Sequence, residues 1–218
     1  MKNAQIVWYF LILLCIFGLA GQAQAQDASL GDRAREGTSP EDFVPNGWKV
    51  DFQVSGDLNG DGVPDVAAIL IEDKREDDRT DADEGPKHAF IVLLGADNGK
   101  FLLAGTNFKL LQCKGCGGVK EFVDIQIKKG VVVVSQMSGS REYTYSTWRF
   151  RYDQKLQRFI LIGMDIEEGD NVLGKKKIVS SNYLTGLKTI QEGKKTSSST
   201  MNGINTSRQA LFLEDVVE

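Results

Sequence analysis

From residue 48 onward the chain is patterned as strands. Trp48, Val50, Phe52 and Val54 alternate with Lys49, Asp51, Gln53 and Ser55, a period of two that predicts one buried and one wet face. Residues 66–71 are continuously apolar, as expected of a strand covered on both faces. Strands resume over 89–94, and Asp97-Asn98-Gly99-Lys100 turns the chain so that 101–104 pairs back. Residues 122–127 and 131–134 flank Lys128-Lys129-Gly130, another hairpin. Tyr143, Tyr145, Thr147, Arg149 and Arg151 alternate with Thr144, Ser146, Trp148, Phe150 and Tyr152, a long strand with aromatics on each side. Residues 153–157 turn, 158–164 return, and 176–181 and 187–191 flank a last hairpin turn at 182–186. Residues 197–200 are polar and of low complexity, which reads as a loop or a frayed edge, and 211–213 as a short strand at most. Ser39-Pro40-Glu41-Asp42 is a helix start that Pro45 and Gly47 limit to one short turn. The fold class is therefore all-β. It is an antiparallel meander of about ten strands, propeller-like or sandwich, because no connection is long enough for a parallel crossover.

The start of the chain has a different pattern. Lys2, the apolar run 6–20 and Ala23-Gln24-Ala25 stand in the order of a secretory signal peptide, placed at 1–25. The run is short for a transmembrane helix, and Cys15 sits within it behind Leu14, where a lipoprotein would carry a small residue. Residues 26–38 read as a flexible leader and 39–218 as a single β-rich domain. Periplasmic or secreted localisation follows, without stable membrane insertion after cleavage. Cleavage would leave 25 basic against 30 acidic side chains. That balance excludes a nucleic-acid partner, which needs a basic patch. Between 72 and 85 eight acids face three bases, a solvated loop by composition.

One stretch combines spacing with chemistry. In Asp57-Leu58-Asn59-Gly60-Asp61-Gly62-Val63-Pro64-Asp65, oxygen side chains occupy loop positions one, three, five and nine, with Gly at six. Asp57, Asn59, Asp61 and Asp65 offer side-chain oxygens and Val63 its carbonyl, a hard-donor set suited to Ca2+. An EF-hand would need an acid at position twelve between helices. Ala68 stands there, and strands flank the loop. Asn-Gly and Asp-Gly are also strong turn formers, so a plain turn is the alternative.

The segment 56–66 resembles the calcium loop of FG-GAP and related VCBS-type repeats, and the resemblance extends over 48–71. It implies a loop between two strands of a blade, with Asp57, Asn59, Asp61 and Asp65 as ligands and Val63 contributing its carbonyl. Asn59 keeps the oxygen of the family's usual Asp and drops one charge. The chain as a whole is similar to exported bacterial proteins of this size with a single such loop, a likeness that assigns no function.

The remaining candidates are few. Cys113 and Cys116 are most simply a disulfide in an exported chain; thiol–disulfide chemistry is the alternative, although Gly117-Gly118 and not a helix follows. His88, the single histidine, lies beside an apolar strand, where a core-edge role is the usual one. The aromatics of 143–152 could stack on carbohydrate or simply pack the core. A hydrolase would have to use carboxylates such as Asp124, Asp165 or Glu167, whose pairing the spacing does not reveal. The reading is a calcium-stabilised, non-enzymatic binding module with a protein or glycan partner.

Overall fold

The computed structural model describes residues 36–74, 85–119, 122–201 and 210–217. The expected signal peptide (1–25), the expected leader up to 35 and most of the acidic run (75–84) lie outside the described residues. Alternating and continuous apolar runs separated by tight turns yield twelve strands among the described residues. They are β1 (Glu36–Gly37), β2 (Trp48–Gly56), β3 (Asp65–Glu72), β4 (His88–Gly95), β5 (Phe101–Asn107) and β6 (Phe122–Lys128). The second half of the chain supplies β7 (Val131–Gly139), β8 (Glu142–Asp153), β9 (Arg158–Asp170), β10 (Lys175–Asn182), β11 (Leu187–Glu192) and β12 (Lys195–Thr200). The predicted helical turn is a short 3-10 turn, Pro40–Phe43; a second one, Leu213–Asp215, lies near the C-terminus. Among the described residues no helix is long and apolar enough to cross a membrane.

All pairings are antiparallel and form two sheets, one of five strands ordered β1-β5-β4-β3-β2 and one of seven ordered β12-β11-β10-β9-β8-β7-β6. The sheets do not close into a barrel. Of the two arrangements the sequence left open, the shared core decides for the sandwich. Ala67, Ile69, Phe90 and Val92 of the first sheet pack in one buried cluster with Ile125, Val132, Val134, Trp148, Phe150 and Phe159 of the second. On the far side of the five-stranded sheet, Ala68, Leu70, Ala89 and Ile91 form a second buried cluster with Phe43, and Val44, Trp48 and Phe108 pack against it. This sheet is therefore buried on both faces, which is why β3 and β4 are continuously apolar. Strands β10, β11 and β12 contribute nothing to either cluster.

One expectation needs correction, and two open ones become definite. The period of two in β2 does not map onto one face. The register shifts between Val50 and Phe52, so Asp51 is an extra residue and the apolar positions change sides. Trp48 and Val50 pack on the far cluster, whereas Val54 packs between the sheets and Phe52 stays 44% exposed. Of the loop or frayed edge expected at 197–200, the structure has an edge: these residues belong to the outermost strand β12, which pairs with β11 over six residues. An edge strand is held by its backbone, so a run of Lys, Ser and Thr suffices. Residues 211–213 form no strand: Phe212 makes one isolated bridge with Ile160, and the 3-10 turn follows.

Candidate functional site

The loop 57–64 joins β2 to β3, whose pairing runs down to Gly56 opposite Asp65. Its side chains are organised by the loop's own amides. Asp57 Oδ1 accepts from Gly60 N at 2.7 Å and Oδ2 from Gly62 N at 3.1 Å. Asn59 Oδ1 accepts from Asp61 N at 3.0 Å, and Asp61 Oδ1 accepts from Val63 N at 2.7 Å. Asn59 Nδ2 donates to Asp61 Oδ2 at 2.7 Å. Gly60 and Gly62 both sit at φ +83°, a conformation that favours glycine and lets the chain wind this tightly. Asp57 and Asp61 are exposed, Asn59 and Val63 half-buried.

Asp65 is different. It is fully buried. Its Oδ2 accepts from Leu58 N at 2.6 Å and its Oδ1 from Gly95 N at 2.8 Å. One carboxylate thus ties the start of the loop to the end of β4. Burial pushes the Asp65 carboxyl above its usual range, against the pull of those two amides. The neighbouring backbone fits closely, since a Cβ on Gly95 would stand 2.3 Å from Pro64 O. The structure therefore gathers Asp57, Asn59 and Asp61 in one turn and uses Asp65 as its buried anchor. Among the described residues, no group of three or more His, Cys, Asp and Glu side chains is placed to hold a metal ion.

The other candidates lie elsewhere. Cys113 and Cys116 stand at disulfide distance, with Cα atoms 5.3 Å apart in a turn that precedes β6. His88 is 6% exposed, and its Nδ1 lies 2.7 Å from Gln112 O, a core position. Asp165 is ion-paired with Arg149 at 2.7 Å, and Glu167 with Lys176 at 2.6 Å while accepting from Tyr143 Oη at 2.8 Å. Asp124 accepts from Gln126 Nε2 at 2.8 Å. The register puts Asp124 and Asp165 in one row across β6, β7, β8 and β9. Three strand spacings, about 14 Å, exceed the roughly 5–9.5 Å of carboxylate pairs that work together in glycoside hydrolysis.

Sequence reasoning missed two features. Asn107 is 3% exposed and bonds four ways. Its Nδ2 donates to Leu213 O at 2.6 Å and Val216 O at 2.7 Å, and its Oδ1 accepts from Lys109 N at 2.7 Å and Leu110 N at 2.8 Å. Nothing local announces a contact more than 100 residues away. The second is a recess of about 630 Å³ beside the loop, where Asn59, Asp61 and Val63 meet Asp97, Leu102, Tyr152, Gln154 and Gln157. Gln154 Nε2 donates to Asn59 O at 2.9 Å, so the β8–β9 turn holds the loop. A search of protein-family models, curated proteins and solved structures found no match to this chain.

Proposed function

We propose that this chain is an exported β-domain whose 57–65 loop takes up Ca2+ and that it acts as a binding module rather than an enzyme. One observation carries the reading: the loop's oxygens lie in a single turn whose base is fixed by a buried carboxylate. Asp57, Asn59 and Asp61 supply side-chain oxygens and Val63 a carbonyl, all hard donors of the kind calcium takes. Each carboxylate oxygen that accepts one amide keeps a further lone pair for a cation. Asp65 holds the loop against Gly95 from below. Bound calcium would neutralise the charges that Asp57 and Asp61 bring into one turn. Ion pairing of Asp165 and Glu167 with basic neighbours favours structural roles for these acids over hydrolysis.

The test is calorimetric titration with calcium. One site with a Kd of about 10⁻⁴–10⁻³ M is expected, the range of extracellular modules. Asp57→Ala and Asp61→Ala should each abolish it, and magnesium should substitute poorly because it gives up its waters reluctantly. Absence of binding by the wild type would leave the loop an ordinary turn.

A further inference from the structure

The recess beside the loop has walls of an unusual mixture. Tyr152 is half-buried in its wall, and Leu102 is 48% exposed. Gln154 and Gln157 bring side-chain amides, and Asp61 and Asp97 bring carboxylates. Among the described residues, no lysine, arginine or histidine lines the recess. Its volume, about 630 Å³, lies within the range of small-molecule sites.

These walls suit a neutral, hydroxyl-rich ligand better than an anionic or a purely apolar one. An anionic ligand would meet two carboxylates with no compensating cation. A purely apolar ligand would strip water from those carboxylates and amides and return no hydrogen bonds. A neutral polyhydroxylated ring satisfies all of them. Its C–H face can lie on the tyrosine ring and the leucine. Its hydroxyls can donate to carboxylate and amide oxygens and accept from amide nitrogens.

The turn that carries the amides is tightly wound. Gln157 has φ 53°, in the left-handed region where a side chain is strained and glycine is free. Its Nε2 donates to Gln154 O at 2.7 Å, and Gln154 in turn holds Asn59 O. Each side-chain amide is thus held by a backbone carbonyl in advance of binding, that of Gln157 within the turn and that of Gln154 on the loop. A larger recess, about 760 Å³ near the far end of β8–β10, lacks this character. Three lysines, Lys175, Lys176 and Lys177, stand in its wall beside the carboxylates of Glu142, Glu168, Asp170 and Glu192.

We propose that the recess between the 57–65 loop and the β8–β9 turn binds a neutral saccharide, stacked on Tyr152 and held by Gln154, Gln157, Asp61 and Asp97. The proposal rests on the binding-module reading and names its ligand, but it does not require calcium. Calcium enters through the Gln154–Asn59 bond: an ion that fixes the loop also fixes Gln154, and by reciprocity the sugar tightens calcium.

The experiment is amide-resolved NMR of the purified protein, titrated with maltose, cellobiose and N,N′-diacetylchitobiose, and with glucuronate as the anionic comparator, in chelator and in calcium. At least one neutral sugar should shift the amides of the loop and of residues 152–157, and glucuronate should not. Tyr152→Ala should weaken binding about tenfold or more, as for truncation of a central contact. Tyr152 also packs on Phe159 with ring centroids 5.2 Å apart, so that variant may only be read after its fold is verified. Gln157→Gly needs no such reservation. Relief of the left-handed strain should raise its melting temperature while saccharide affinity falls, opposite signs that a merely structural residue would not give. Three results would overturn the proposal: no shift with any of the sugars, shifts confined to another face, or unchanged affinity in Gln157→Gly. Equal sugar binding in chelator and in calcium would support the recess and remove the calcium coupling alone.

Discussion

Replacing Asp65 by Asn keeps the shape of the buried anchor and changes its hydrogen-bonding logic. Both carboxylate oxygens accept backbone amides, from Leu58 at 2.6 Å and Gly95 at 2.8 Å. Asn has one oxygen, so its Nδ2 must face one of those N–H groups. A buried donor left without an acceptor costs about 1–3 kcal/mol. In a domain of this size that corresponds to about 2–12 °C in melting temperature. Asp65→Ala abandons both amides and should cost more, about 2–4 kcal/mol once relief of the buried charge is included. The pH dependence gives a second signature. Burial raises the Asp65 pKa above its unfolded value of about 3.9. Between those two values the native protein binds more proton than the unfolded chain, so stability rises as pH falls. That increment is complete below the unfolded pKa and is lost as pH rises through the folded one. Asp65→Asn cannot titrate and lacks it. The wild-type advantage should therefore widen between about pH 7 and about pH 4. Urea unfolding of both proteins at the two pH values measures it. An Asn variant as stable as wild type at neutral pH, or a gap that ignores pH, would refute the reasoning.

Two further outcomes are expected. Replacing Cys113 and Cys116 by Ser together should leave the fold intact and lower stability by less than about 3 kcal/mol, the loop-entropy value for a 15-residue ring, because only two residues lie between the pair; thermal unfolding and a thiol titration of the native wild type check this. Asn107→Ala should release the 210–217 segment, since it removes both donors to Leu213 O and Val216 O and strands the Lys109 and Leu110 amides; hydrogen exchange should show lost protection near 213–216 and at 109–110, with several kcal/mol of destabilisation at about 1–3 per orphaned group.

Much of the fold was legible because strand signals here are local. Val66 to Ile71 announced a doubly buried strand, and the Asn-Gly, Lys-Gly and Asx-rich turns fixed the hairpins, including Lys129 and Gly130 at φ 51° and 74°. What failed were features that side-chain pattern does not encode. The bulge at Asp51 leaves the alternation intact in sequence while exchanging faces in space. Strand β12 needs only a partner backbone, so its Lys195–Thr200 run carries no apolar signal. The division into two sheets depends on which faces meet, and that was beyond a one-dimensional pattern. At the site, the oxygen spacing was readable. The burial of Asp65 was not, because a ninth-position Asp reads as a ligand whether it faces solvent or the Gly95 amide. The recess was invisible because its walls come from 59–63, 94–102 and 152–157.

The central claim is that calcium completes the 57–65 loop. Thermal unfolding of the wild type in excess chelator and then in calcium tests it most directly. With a Kd of about 10⁻⁴–10⁻³ M and calcium near 2 mM, binding to the folded state alone adds about 0.6–1.8 kcal/mol. The melting temperature should rise by about 1–7 °C, and Asp61→Ala should show no rise. Superimposable wild-type curves in chelator and in calcium would contradict the account.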